Sequence, residues 1–251
     1  MMPSLEICCY SSESVITAAA NGAQRVELCS GRLEGGTSPS AGMLLAALEV
    51  KNIEVFPILR PRGGDFCYSH SEFDEMLHDV VWYAKMGVKG CVTGILLPNG
   101  DFDYQRMLKI KAEAPTMELC VHRAIDMCSN SIEAIPVLKE LGVRRILSSG
   151  RKNMAIEGIA MLRNMQEEAG KSIEIMAGSG VKAEQIPSFW EAGIRHFHAS
   201  ASVHTPSAMH YRNEGISMSK EHPAEEFSVF RANGEYIKTM AEIIQRCATS
   251  V

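Results

Sequence analysis

Four short stretches of the chain carry residue types that could do chemistry together. Leu5-Glu6-Ile7-Cys8-Cys9 and Val26-Glu27-Leu28-Cys29 place the same Glu-x-Cys element in two apolar runs. Cys8 and Cys29 are candidate ligands for a soft metal such as Cu(I), which thiolates favour, and are equally readable as small packed thiols. Arg60-Pro61-Arg62-Gly63-Gly64-Asp65-Phe66 leaves the run Val55-Phe56-Pro57-Ile58-Leu59. Guanidinium groups beside glycines suit a loop that approaches an anion closely, and also a surface turn closed by an Arg60–Asp65 ion pair. In Leu119-Cys120-Val121-His122-Arg123-Ala124-Ile125-Asp126 a histidine ends an apolar run, with a carboxylate four residues on. It could be a general acid–base with Glu27 or Asp126 as partner, or a structural histidine bonded to a loop.

These residues need elements to position them. Gly22, Gly87, Gly142 and Gly193 each end an amphipathic stretch and precede an apolar run. That is how a glycine just past a helix leads into a short connection and a strand. Strands at Leu5–Cys9, Val55–Leu59, Met117–His122 and Ile173–Ala177 interleave with the four that follow those glycines. Eight strands alternating with helices predict an α/β fold, a (β/α)8 TIM-type barrel, as a single domain over residues 1–251. An open doubly wound sheet would carry G-x-G-x-x-G after the first strand, and none is present. Ser69-x-x-Glu72 or Ser71-x-x-Asp74 caps the clearest helix, and Phe73, Met76, Leu77, Val80, Val81 and Ala84 form its apolar face. The one long connection, 202–230 between the last strand and the last helix, is expected to cap one barrel end.

Barrel chemistry sits at the C-terminal strand ends, and side chains there alternate inward and outward. Parity turns Glu6, Cys8, Glu27, Cys29, Cys120 and His122 inward, with Arg60 at the end of the third strand. Ser148-Ser149-Gly150, Gly178-Ser179-Gly180 and His198-Ala199-Ser200 end the last three strands. Candidate anion or ligand contacts are therefore Arg60, Arg62, Ser148, Gly178, Gly180, His198 and Ser200, the glycines offering backbone N–H groups. No lysine faces inward at a strand end, which disfavours a Schiff-base aldolase.

A net charge of −5 with no basic block argues against a nucleic-acid partner, and no apolar run is long enough to span a bilayer. The N-terminus shows no export signal, so the expectation is a soluble cytoplasmic protein. Its eight cysteines form no C-x-x-C pair, and disulfides are not expected in that compartment.

Taken together the chain resembles the CutC family, known as copper homeostasis proteins. The resemblance rests on Leu5-Glu6-Ile7-Cys8, Arg25-Val26-Glu27-Leu28-Cys29, Glu34-Gly35-Gly36-Thr37-Ser38-Pro39-Ser40 and Arg60–Phe66. It continues through His122-Arg123-Ala124-x-Asp126-Met127, Ser148-Ser149-Gly150, Phe197-His198-Ala199-Ser200 and Tyr211-Arg212-Asn213. Ile125 and Val121 stand where that family commonly has aromatic residues, and Ser148 where threonine is frequent. The resemblance implies a TIM-type barrel, a cytoplasmic protein, a homodimer or higher homo-oligomer, and copper handling. The residues leave two readings open: Cu(I) bound by Cys8 and Cys29, or an enzyme moving a proton on a small anionic or phosphorylated metabolite in a lyase- or isomerase-like reaction. If Arg60 alone faces inward, Arg60→Ala should weaken ligand binding while Arg62→Ala should mainly cost stability.

Overall fold

The computed structural model describes residues 2–213, 215–216, 218 and 226–249. Eight parallel strands, β1 (Ser4–Cys9), β2 (Arg25–Leu28), β3 (Glu54–Pro57), β4 (Gly90–Thr93), β5 (Glu118–Val121), β6 (Val143–Ser148), β7 (Glu174–Ala177) and β8 (His196–Ala199), form one sheet. Hydrogen-bonded order runs β3-β2-β1-β8-β7-β6-β5-β4. A bridge between Ile58 and Val92 joins the two ends, with Leu59 donating its N–H to the Val92 carbonyl at 2.7 Å. The sheet thus closes into a single-domain (β/α)8 TIM barrel.

Around it lie α1 (Ser12–Ala20), α2 (Ala41–Leu48), α3 (His70–Lys85), α4 (Tyr104–Glu113), the single turn α5 (Ala124–Met127), α6 (Ser131–Glu140), α7 (Ile159–Ala169), α8 (Ile186–Glu191) and α9 (Gly234–Thr249). The start of α3 follows the first of the two expected capping signals: Ser69 accepts from the Glu72 N–H, and Glu72 accepts from the Ser69 N–H. Phe73, Met76, Val80 and Tyr83 are its buried face, while Leu77 and Ala84 are partly buried. All four glycines that feed strands sit at positive φ, between 69° and 94°, where the helix reverses into its connection.

Strand parity divides the interior into two cores. Leu5, Ile7, Cys9, Val26 and Leu28 face the helices, whereas Cys8, Cys29 and Ile58 pack together inside the barrel, and Phe56, Val92 and Cys120 form a second inner group. Connection 202–230 is more than a loop: β9 (Ser202–Pro206) and β10 (Ser228–Ala232) form an antiparallel ribbon. Phe230 on that ribbon meets Tyr10 edge-on at 5.8 Å and the Arg32 guanidinium at 4.7 Å, so the ribbon stands beside the β1–β2 side of the mouth.

The barrel interior leaves no room at Gly90, where an added Cβ would lie 2.2 Å from the Phe56 ring and 2.8 Å from the Glu118 carbonyl. Gly42, in the first turn of α2, has nothing within 4 Å. Gly90→Ala is expected to cost about 2–4 kcal/mol in urea denaturation, and Gly42→Ala to be neutral or stabilising by a few tenths. Equal midpoints for the two variants would contradict this account of the packing.

Candidate functional site

Glu6 lies at mid-depth in the barrel, 1% exposed, ion-paired with the Arg25 Nε and accepting from His198 Nδ1 at 2.8 Å. The topology makes this pairing local: Glu6 is the register partner of Arg25 on β2 and of His198 on β8. Burial alone would raise the Glu6 carboxyl, but Arg25 and the His198 bond outweigh it and hold the group ionised far below the usual range. With Nδ1 bound to Glu6, His198 turns Nε2 upward, 3.7 Å from Glu27 Oε2. Donor atoms of Cys8, Glu27 and His198 all lie within 4.8 Å of one another. The Cys29 sulfur is 3.8 Å from that of Cys8.

These neighbours set unusual protonation states. The Cys29 contact, assisted by His198, pulls the Cys8 thiol well below its ordinary value despite burial. Burial pushes Cys29 up, so the proton shared by the two sulfurs belongs to Cys29. His198 is driven well above the ordinary imidazole value: burial opposes its charge, but Cys8, Glu6 and Glu27 together prevail. Burial and the Cys8 charge raise Glu27 to about 8, leaving it protonated at neutrality. These shifts bias the cluster toward a thiolate at Cys8 facing an imidazolium at His198, with Glu27 holding its proton to about 8 alongside.

A cavity of about 250 Å3 opens above it, lined in part by Cys8, Glu27, Arg60, His122, Gly180 and Ser200. His122 faces the cavity from the end of β5. Its Nδ1 accepts the Ala124 N–H at 3.2 Å, so the ring proton sits on Nε2, which has no partner among the described residues. Burial, reinforced by Arg60, lowers His122 to about 3. Phe66 packs its ring 4.7 Å from that of His122 and 5.1 Å from the Arg60 guanidinium carbon.

Several sequence expectations are changed by this geometry. Arg60 does not pair with Asp65: its Nη atoms donate to the carbonyls of Glu34, Gly36 and Gly64 at 2.6–2.8 Å. Asp65 pairs instead with Arg62, which also holds Glu72 and the Cys67 carbonyl and does not line the cavity. Both arginines therefore brace the loop, and the stability cost expected of Arg62→Ala applies to Arg60→Ala as well. Asp126 is not a partner of His122. It accepts from Ser148 Oγ at 2.6 Å, from the Ser149 and Arg151 N–H groups, and pairs with Arg123 at 2.9 Å. Ser148 is thereby turned away from the cavity, and Gly178 is a packing position whose Cβ would strike Leu147 at 2.3 Å. Glu27 and His122 stand on different walls of the cavity. Sequence reasoning gave no role to Tyr10, Arg123 or Ser179, which also line it. Their position just beyond the ends of β1, β5 and β7 was the available signal.

The arrangement defines a class first: a TIM-barrel protein with a polar, partly charged mouth at the C-terminal strand ends. Within that class the chain matches the CutC family model over residues 3–203. It is 45% identical over 245 residues to CutC family proteins from Salmonella enteritidis PT4 and Salmonella typhimurium LT2, covering 98% of each chain. A solved Streptococcus agalactiae CutC, which bears a copper homeostasis name, aligns at 31% identity and TM-score 0.75, covering 79% of this chain and 99% of its own. A thiamine phosphate pyrophosphorylase from Pyrococcus furiosus, at 12% identity and TM-score 0.57, shares the fold alone. The chain belongs to the CutC family.

Buried neutral histidines make stability depend on pH. His122 near 3 and His196, lowered by burial to about 4, both titrate below the ordinary 6.5 of the unfolded chain. Between those values the unfolded state binds more protons, so both contributions fade as pH drops below about 6.5. His198 has the opposite sign, its contribution being lost as pH rises through its elevated value. Comparing wild type with His122→Gln isolates one group: the variant should lose about 2 kcal/mol less than wild type between about pH 7.5 and pH 5. Parallel urea-denaturation profiles for the two proteins would refute the assignment of a buried neutral His122.

Proposed function

We propose that the protein binds Cu(I) through Cys8 and Cys29 at the base of the mouth, as cargo handled in copper homeostasis. The observation that carries this reading is the pair of sulfurs 3.8 Å apart, one of them biased toward thiolate, beneath an open cavity. Soft thiolates select Cu(I) over the harder divalent ions, and at this separation both can meet one ion without moving the strands. His198 is engaged by Glu6 and serves to hold Cys8 ionised rather than to ligate. Binding must displace the Cys29 proton, so copper affinity falls as pH falls. The reading includes a cytoplasmic location, since all eight cysteines are free and thiols stay reduced there. Among the described residues, no helix is long and apolar enough to cross a membrane.

A barrel enzyme acting on a small anion is the other reading, favoured by the unpaired His122 Nε2–H in the same cavity. A histidine held near 3 donates a hydrogen bond rather than shuttling a proton at neutrality. Glu27, near 8, is the cavity group whose proton could move in that range.

We also propose self-association. Met209, Tyr211 and Val229 lie exposed on and beside the ribbon, an apolar surface a second copy could cover. Light scattering on the purified protein checks it, and a monomer mass at micromolar concentration would refute it. For copper, titration against a competing Cu(I) chelator should give about one ion per chain. Each of Cys8→Ser and Cys29→Ser should weaken binding by roughly a hundredfold or more, and the double variant should abolish it. Unchanged stoichiometry in the double variant would sink the site.

A further inference from the structure

The wall of the cavity opposite the thiols has an electrostatic problem that copper does not address. Arg60 is 5% exposed, and among the described residues no carboxylate lies within ion-pair distance of its guanidinium. Its Nη atoms are spent on three loop carbonyls, and its Nε has no partner among the described residues. A buried cation met by carbonyl dipoles, the Phe66 ring and the Tyr68 side chain lacks its counterion. Beside it, His122 carries a second unpartnered N–H, on Nε2, in a residue 4% exposed. Phe66 packs on both groups. Asp126, four residues beyond His122, is already enclosed by Ser148, Ser149, Arg151 and Arg123.

We propose that this wall is a carboxylate site, in which a small organic acid places one oxygen on Arg60 Nε–H and the other on His122 Nε2–H. One unbalanced positive charge and two free donors match a monoanionic carboxylate. A phosphate dianion would demand more charge and more donors than remain. The cavity, at about 250 Å3, far exceeds the roughly 10–15 Å3 that one water needs, so it has room for more than an ion. Ile58, Leu147, Val181 and Ala199 supply apolar walls for a short carbon chain. The chain's far end would meet Cys8, Glu27 and His198, so the best ligands carry a second polar group there. Phe66 acts as the cover, since in this structure the two unpaired nitrogens are sheltered from solvent. The site stands independently of copper: it uses neither sulfur, and it survives if the thiols bind no metal.

The test is thermal unfolding of the full chain in chelator, without metal, against acetate, lactate, pyruvate, succinate and inorganic phosphate. A hydroxy- or oxo-carboxylate should raise Tm with concentration, as ligands selective for the native state do, while phosphate should not. His122→Leu should weaken that carboxylate about tenfold, the usual order for one lost hydrogen bond to a charged group. Because His122→Leu also changes the packing against Phe66, Ser200→Trp at the exposed rim serves as a second variant. It leaves both donors in place and should abolish the shift by filling the mouth. No shift with any carboxylate, an equal shift with phosphate, or undiminished affinity in both variants would each overturn the proposal.

Discussion

The mouth depends on one buried contact, the ionised Glu6 carboxylate held between Arg25 and His198. An unpaired carboxylate at 1% exposure would be neutralised by its surroundings, and only the paired form is tolerable in the barrel interior. Once Glu6 is fixed as an anion, the rest follows in sequence. His198 must present Nδ1–H downward, so its Nε2 is aimed at Cys8 and Glu27. The Cys29 contact and an imidazolium there favour a thiolate at Cys8, whose charge adds to burial in keeping Glu27 protonated. The layer below repeats the device: Arg145 pairs with Glu174, and the Phe56 ring lies between the guanidinium groups of Arg25 and Arg145, at 5.3 and 5.9 Å. Aromatic faces tolerate such cations where water is excluded.

Barrel closure explains why this contact exists at all. The residues that meet at Glu6 are separated by almost two hundred positions, yet the first and last strands are neighbours in a closed sheet. A sheet opened between β1 and β8 would leave β1 beside only one partner and strand His198 away from Cys8. The thiol pair and the charges around it are thus tied to the fold, and not to a local motif.

How much was legible in the sequence follows the same division. Alternation along single strands correctly turned Glu6, Cys8, Glu27, Cys29 and His122 inward, because parity is a property of one strand and its apolar faces. The glycines before four strands and the Ser69–Glu72 cap were legible for the same local reason. The Glu6–His198 pairing needed the register between distant strands, which parity does not supply. That Arg60 also braces its loop was not legible, because its partners there are backbone carbonyls. Their directions depend on Gly35, Gly36 and Gly64 adopting positive φ, and no side-chain pattern reports that. Asp126 was misplaced by one turn of helix: four residues beyond His122 lie on α5, whose geometry carries the carboxylate toward the end of β6.

The two walls of the cavity are therefore not two versions of one site. The wall made by β1, β2 and β8 balances its charges internally, with Arg25, Glu6, His198 and Cys8 alternating in sign. The wall made by the ends of β3 and β5 does not, because Arg60 meets dipoles where a counterion is needed and His122 is kept neutral beside it. A balanced wall can exchange a proton for a metal cation with little change in its field, which suits cargo that arrives and leaves. An unbalanced wall is relieved only by an anion. The thiol pair and the Arg60–His122 wall thus face one cavity with opposite demands, one for a cation and one for an anion.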